Sequence, residues 1–358
     1  MEVIKKKELC IVHVGMPKTG SSTLQNAFFK GLNDKSVSYG NLPNSNQSGW
    51  LYGLFAKDIV NYHFFKGWGI DTQDKIDKFR EESKKLLITG FENSGTSIEI
   101  LSGEDLFHLH EEGVRELKNF LTAYFKNIVI VAYVRPVKSF LESAFQQMIK
   151  HVPINRLDSN LIYHRYTNFA SYLNVFGTDS VQLWRFDPKQ FPEGDILLDF
   201  TTRLGLQPQR SKIKVVNESI AKEAISILFT YHFHENAKTD FGERQYKLRY
   251  QLVELLRKIG SEKFKFSGQF IQRAIAANQE DYEWIVRVMG EDFKETPESL
   301  SAEGVDNEHE LMHYATQFIP NLVELAGEFA KDLKLDDTPQ TVARLVDKIM
   351  LRLAHDHR

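Results

Sequence analysis

Two stretches of the chain are apolar almost without interruption: "ELCIVHV" (Glu8 to Val14) and "NIVIVAYVR" (Asn127 to Arg135). Apolar runs this short, bounded by polar residues, predict strands buried on both faces. "SIEILSGED" (Ser97 to Asp105) predicts a further strand that breaks at Ser102–Gly103. Between these runs the apolar positions recur every three or four residues. "SSTLQNAFFKGL" (Ser21 to Leu32) places Leu24, Ala27, Phe28 and Leu32 on one helical face. "VRELKNFLTAYF" (Val114 to Phe125) has the same spacing, and "PVKSFLESAFQQMI" follows Arg135 with its proline near the first turn. A polar helix is predicted over Gln73 to Leu86, and another helix and strand within Tyr166 to Phe186. Asn33 to Gly49, dense in Asn, Ser, Gly and Pro, reads as loop.

Buried strands alternating with helices predict an α/β fold whose parallel sheet is covered on both faces. After about Val216 the strand pattern fades. From Ser219 onward helices are predicted, broken near Lys265–Gly268, Pro297 and Pro320. The expected organisation is an α/β core over residues 1–216 and a mostly helical region over 217–358 that packs on it. With 358 residues, 42% of them hydrophobic, the chain can bury a sizeable core. The balance of 45 basic against 48 acidic residues gives a net charge of −3 and no signature of a nucleic-acid partner. The single cysteine, Cys10, excludes an intramolecular disulfide framework and lies inside the first apolar run as a small buried hydrophobe. No apolar stretch reaches the length of a membrane span, and the N-terminal run is too short for a signal peptide, so a cytoplasmic location is expected.

Candidate chemistry starts where the first strand ends. His13 to Gln25 reads "HVGMPKTGSSTLQ", a glycine-bracketed turn between a strand and a helix, which is the layout of a phosphate cradle. A triphosphate loop places Lys directly after its second glycine. Here Gly20 is followed by Ser21 and Ser22, and the lysine is Lys18. The strand that should end in a metal-binding Asp ends instead in Arg135. A kinase-like enzyme would need that carboxylate. The pattern suits a nucleotide whose charge is neutralised by protein groups alone.

"PKTGSSTLQ" resembles the 5′-phosphosulfate loop of sulfotransferases that use 3′-phosphoadenosine-5′-phosphosulfate (PAPS). "YVRPVKSFLESAFQQ" resembles their 3′-phosphate motif, with Arg135 at the strand end and Ser143 eight residues on. Weaker matches follow in "YTNFASYLNVFGTDSVQLWRFD", "DILLDFTTRLGL" and "VVNESIAKEAI", so the likeness runs from about Ile11 to Ala224. The nearest members are bacterial enzymes that sulfate polysaccharides or lipid-linked sugars. The resemblance implies a three-layer P-loop-like fold and metal-independent, in-line transfer of a sulfuryl group to a carbohydrate hydroxyl, releasing 3′-phosphoadenosine-5′-phosphate (PAP). It implies that Thr19, Gly20, Ser21, Ser22 and Thr23 hold the 5′-phosphosulfate at a helix N-terminus. By the same resemblance Lys18 contacts the bridging oxygen, and Arg135 with Ser143 binds the 3′-phosphate.

The acceptor's general base is less clearly marked. Many relatives carry it after the first helix, as Glu or as His in an Asn-His-Ser triplet, whereas this chain has Asn46-Gln47-Ser48. Glu104, at a predicted strand end, is the preferred candidate. His63 in "NYHFF" and His13 read better as packed or structural histidines. Trp50, Tyr52, Trp68 and the segment His151 to Tyr166 are candidates for a sugar cleft. Two rival readings stand beside this one. A PAP- or PAPS-binding protein of the same fold could lack catalysis. "HELMH" (His309 to His313) matches the zinc-protease helix H-E-x-x-H, with Glu310 as base and Glu324 or Glu328 as a third ligand.

Overall fold

The computed structural model describes residues 6–57, 59–211, 219–234 and 245–356. Five strands form one sheet: β1 (Lys7–His13), β2 (Val37–Tyr39), β3 (Ile98–Ser102), β4 (Phe125–Val134) and β5 (Val181–Arg185). Every pair is parallel and the order is β2-β3-β1-β4-β5. The central strand β1 pairs Ile11 with Ile100 on one side and with Val129 on the other. Because the neighbours of β1 in the sheet are β3 and β4, the sheet has a topological switch point there, at the carboxyl ends of β1, β3 and β4, where open α/β sheets bind their ligands.

Both faces are covered, giving three layers. On one face Ile11, Ile100, Val131 and Tyr133 pack with Leu24 and Phe28 of α1 (Ser21–Phe29) and with Leu197 and Phe200 of the helix Ile196–Arg203. Strand alternation turns Cys10, Val12, Ile130 and Ala132, all fully buried, to the other face. There α2 (Ser48–Phe55), α3 (His63–Trp68), α4 (Gln73–Asn93) and α5 (Glu111–Tyr124) follow in the chain, and α5 packs on β4 and on the helix Ala170–Phe176.

The chain divides into two compact units that interleave along the sequence. The first comprises Met1–Pro136, Arg165–Val216 and Glu280–Phe293, and it contains the whole sheet. The second comprises Val137–His164, Asn217–Gln279 and Lys294–Arg358. The boundary expected at 216/217 falls outside the described residues. The helix α6 (Val137–His151) belongs to the second unit. Its buried face of Phe140, Leu141, Phe145 and Ile149 packs with the helices Lys222–Phe233, Gln245–Leu256 and Gly268–Ala277. Helical periodicity reports that a face is apolar; it does not report which partner covers it.

Several boundaries differ from those expected. β2 lies inside the stretch read as loop, where Val37, Ser38 and Tyr39 pair with Ile98, Glu99 and Ile100. α4 runs a full two turns beyond Leu86. Pro320 opens the helix Ile319–Ala326, sitting in its first turn where the missing N–H costs nothing.

Candidate functional site

The loop after β1 leaves the sheet gradually. Val14 and Met16 donate their N–H groups to the carbonyls of Val131 and Tyr133, at 3.0 and 3.1 Å, so ladder pairing with β4 continues past the last residue of the strand. Gly15 has φ of 93°, and a Cβ there would lie 3.2 Å from the carbonyl oxygen of Glu104. Gly20, with φ of 76°, caps α1 and would press a Cβ against Ile196 at 2.9 Å. Both glycines therefore answer a backbone demand that a side chain would frustrate. Lys18 also adopts a left-handed conformation, with φ of 65°, without a glycine's freedom.

α1 begins at Ser21 with no side chain capping it and no acidic residue in its first turn. Its leading N–H groups and the positive end of its dipole are uncompensated by a carboxylate of that helix. The hydroxyl of Thr19 does not add to them. It is fully buried and donates to the carbonyl of Met16 at 2.5 Å, so what Thr19 offers a ligand is its backbone N–H. Ser21 is only 2% exposed, and its hydroxyl lies beside the Glu104 carboxyl.

Glu104 opens a short 3₁₀ turn immediately after β3. Burial pushes its carboxyl up to about 7, and the adjacent Asp105 adds to the rise. Lys18 and the nearby hydroxyl of Ser21 act in the opposite direction. Lys18, Ser21 and Glu104, three of the residues singled out in the sequence, thus converge at the ends of β1 and β3. Asp105 is itself anchored: Tyr62 donates to it at 2.5 Å, its N–H donates to Ser48 Oγ at 3.1 Å, and His63 Nε2 lies 4.0 Å away. His63, at the start of α3, is 70% exposed, and its ring lies against Tyr62 and Phe64 with centroids 4.8 and 4.4 Å apart.

His13 is structural, in agreement with expectation. It is fully buried, burial pushes it down to about 4, and its Nδ1 shares a 2.8 Å hydrogen bond with Ser102. Gln47, the central residue of Asn46-Gln47-Ser48, is a strut. Its Nε2 donates to the Gly40 carbonyl at 3.0 Å, and its Oε1 accepts from the Ser102 N–H at 3.1 Å. Its own N–H donates to the Ser102 carbonyl at 3.2 Å. Every polar group of that side chain is employed in tying the β2–α2 loop to the end of β3.

Arg135 directly follows β4 and reaches back to the glycine-bracketed loop, where its Nη1 donates to the carbonyl oxygen of Lys18. Its guanidinium lies over the Phe186 ring at 5.2 Å, and its own carbonyl accepts from Tyr166 Oη at 2.7 Å. Ser143 lies on α6, half-buried, in the second unit. Of the residues named for a sugar cleft, Trp50 and Trp68 stack against one another and against Phe79, with ring centroids 5.3 to 5.8 Å apart, and Tyr52 meets Tyr62 at 4.8 Å. Residues 151–164 belong to the second unit.

The HELMH segment does not form a zinc-protease site. His309 and His313 are exposed with nearly parallel rings 6.1 Å apart. The Glu310 carboxylate instead accepts from Asp306 N–H at 2.8 Å and Asn307 Nδ2 at 2.9 Å, closing the N-terminus of its own helix. Among the described residues no group of three or more His, Cys, Asp or Glu side chains is placed to hold a metal ion. None of the described helices is long and apolar enough to cross a membrane.

No family model matches the sequence. A curated protein of Archaeoglobus fulgidus, described as an uncharacterized protein, is 26% identical over 183 residues, covering 48% of this chain. The chain spans about half the length of that relative, 50% of it. Two solved structures are similar in fold. One is a sulfotransferase from Alicyclobacillus acidocaldarius, with a TM-score of 0.36 and 13% identity, covering 68% of this chain and all of that one. The other is the sulfotransferase domain from the curacin biosynthetic pathway, with a TM-score of 0.34 and 14% identity, covering 57% of this chain and 76% of that one.

Proposed function

We propose that the protein is a PAPS-dependent sulfotransferase that transfers a sulfuryl group to a carbohydrate hydroxyl and releases PAP. The observation that carries this reading is the meeting of Lys18, the uncapped start of α1 and Glu104 at the ends of β1 and β3. The N–H groups of Thr19 through Ser22 receive the 5′-phosphosulfate at the helix N-terminus, while the Thr23 N–H is bonded to the Gly20 carbonyl and Thr23 contributes its hydroxyl beside those of Ser21 and Ser22. Arg135 holds the 3′-phosphate, the role that its motif implies.

In this reading Glu104 takes the proton of the acceptor hydroxyl as its oxygen attacks sulfur in line. The bond between sulfur and the phosphate oxygen breaks, and the electron pair stays on that oxygen. Lys18 stabilises the charge that develops there, charge that the ground state lacks. A carboxyl displaced to about 7 suits this work, because a base is most effective when its pKa lies near the operating pH. Retention of both Lys18 and such a base favours turnover over mere nucleotide binding.

The test is isothermal titration of PAP, with EDTA present, into the wild type, Lys18→Ala and Arg135→Ala. Micromolar binding by the wild type, weakened about 30-fold or more in Arg135→Ala, is expected for a lost charge-assisted contact. With radiolabelled PAPS and a carbohydrate acceptor, Lys18→Ala turns over about 10²–10³-fold more slowly while binding persists. A wild type that does not bind PAP would refute the reading.

A further inference from the structure

We propose that Arg135 is also a positioning residue for Lys18, setting the loop conformation in which the lysine meets the donor. The inference rests on the sulfotransferase reading, and it assigns Arg135 a task separable from contact with a 3′-phosphate. The geometry starts from the backbone. Lys18 has φ of 65°, a conformation that a non-glycine residue holds only where its surroundings impose it. On one side Thr19 Oγ1 fastens the turn to the Met16 carbonyl, and Met16 N–H is fastened to Tyr133. On the other, Arg135 Nη1 donates to the carbonyl of Lys18 itself, fixing the orientation of the peptide unit that follows the lysine's Cα.

Arg135 is in turn held from two directions. Phe186 lies under its guanidinium, and Phe186 N–H is bonded to the Val134 carbonyl at 2.8 Å. Tyr166 Oη donates to the Arg135 carbonyl, and Tyr166 N–H is bonded to Asp281 at 2.9 Å. A guanidinium carries five N–H donors in one rigid plane, so a single arginine can serve the loop carbonyl and an anion together. An ammonium on a flexible stem fixes such an arrangement less well. The consequence is coupling: the group that senses the 3′ end of the nucleotide also shapes the loop at the 5′ end.

The experiment uses two nucleotides that differ only where the roles differ. Adenosine 5′-phosphosulfate has the phosphosulfate and lacks the 3′-phosphate; PAPS has both. Each is titrated calorimetrically into the wild type, Arg135→Met and Arg135→Lys. Arg135→Met keeps the length of the side chain and removes every donor. If Arg135 only reads the 3′-phosphate, Arg135→Met weakens PAPS and leaves adenosine 5′-phosphosulfate untouched. If it positions Lys18, Arg135→Met also weakens adenosine 5′-phosphosulfate, by about tenfold. Arg135→Lys, which keeps a donor and a charge, recovers most of that loss and serves as the check that the fold is intact. Binding of adenosine 5′-phosphosulfate to Arg135→Met at wild-type affinity overturns the proposal while leaving the donor assignment standing. A wild type that binds neither nucleotide removes the donor assignment itself and this inference with it.

Discussion

Replacing Glu104 with glutamine separates what the residue does for the fold from what it does for the chemistry. Its carboxyl ordinarily titrates at 4.5 and is displaced to about 7, chiefly by burial and then by Asp105. The displacement is upward, so between these two values the folded protein holds a proton that the unfolded chain has already released. Folding therefore loses stability as pH rises through this window, and the whole penalty is present above pH 7. At 1.36 kcal/mol per tenfold change in proton affinity, the rise corresponds to roughly 3 kcal/mol; the partial exposure of the side chain reduces this to about 1–2 kcal/mol. Glu104→Gln keeps the shape and discards the charge. The variant should match the wild type in urea unfolding at pH 4.5 and exceed it by about 1–2 kcal/mol at pH 8. Under the proposed function, in which Glu104 is the base, transfer activity should fall by about 10²–10⁴, the usual contribution of general-base catalysis. In the wild type, turnover should rise with pH through about 7 as the carboxylate forms. A stability difference between the two proteins that does not change from pH 4.5 to pH 8 would refute the account of Glu104's surroundings.

Two further tests address the frame around the site. Gln47→Leu removes the side-chain bonds to Gly40 and Ser102 and leaves the Ser102 N–H without that acceptor, while the Gly40 carbonyl still accepts from the Leu42 N–H, so it should cost about 1–3 kcal/mol in urea unfolding; a loss below 0.5 kcal/mol would contradict the strut assignment. Lys7→Met strands the Glu99 carboxylate, 1% exposed, and should destabilise by about 3–5 kcal/mol. Adding Glu99→Leu should restore most of that loss, and failure of the double variant to recover would place the importance of Lys7 in its bonds to Ser94 and Thr96.

The parts of this protein that local sequence determined are those where one physical signal dominates. β1 and β4 were legible because both faces are buried and every residue from Ile128 to Val134 is apolar. The start of α1 was legible because glycine, serine and threonine at a strand–helix junction leave few alternatives. Lys18 and Arg135 stood out because each departs from the triphosphate pattern at a defined position. β2 was hidden: three residues flanked by Asn, Asp and Gly carry no period, and its pairing is supplied by β3. The sequence likewise could not show that Gln47 is engaged on both sides, because Gly40 and Ser102 are brought to it only by the sheet.

Tertiary structure alone decided the orientations that matter for chemistry. Threonine, serine and glutamate are hydroxyls and a carboxyl in any alignment. The structure turned Thr19 inward onto Met16, buried Ser21 beside Glu104, and set Glu104 beside Lys18 at the end of a different strand. It also brought Arg135 against a carbonyl 117 positions earlier in the chain. A pKa and a loop conformation depend on charges and donors within a few ångströms, whatever their separation in sequence. Propensity and periodicity act over one or two turns, so they name the residues and the elements; the parallel sheet, by setting the ends of β1, β3 and β4 side by side, makes them neighbours.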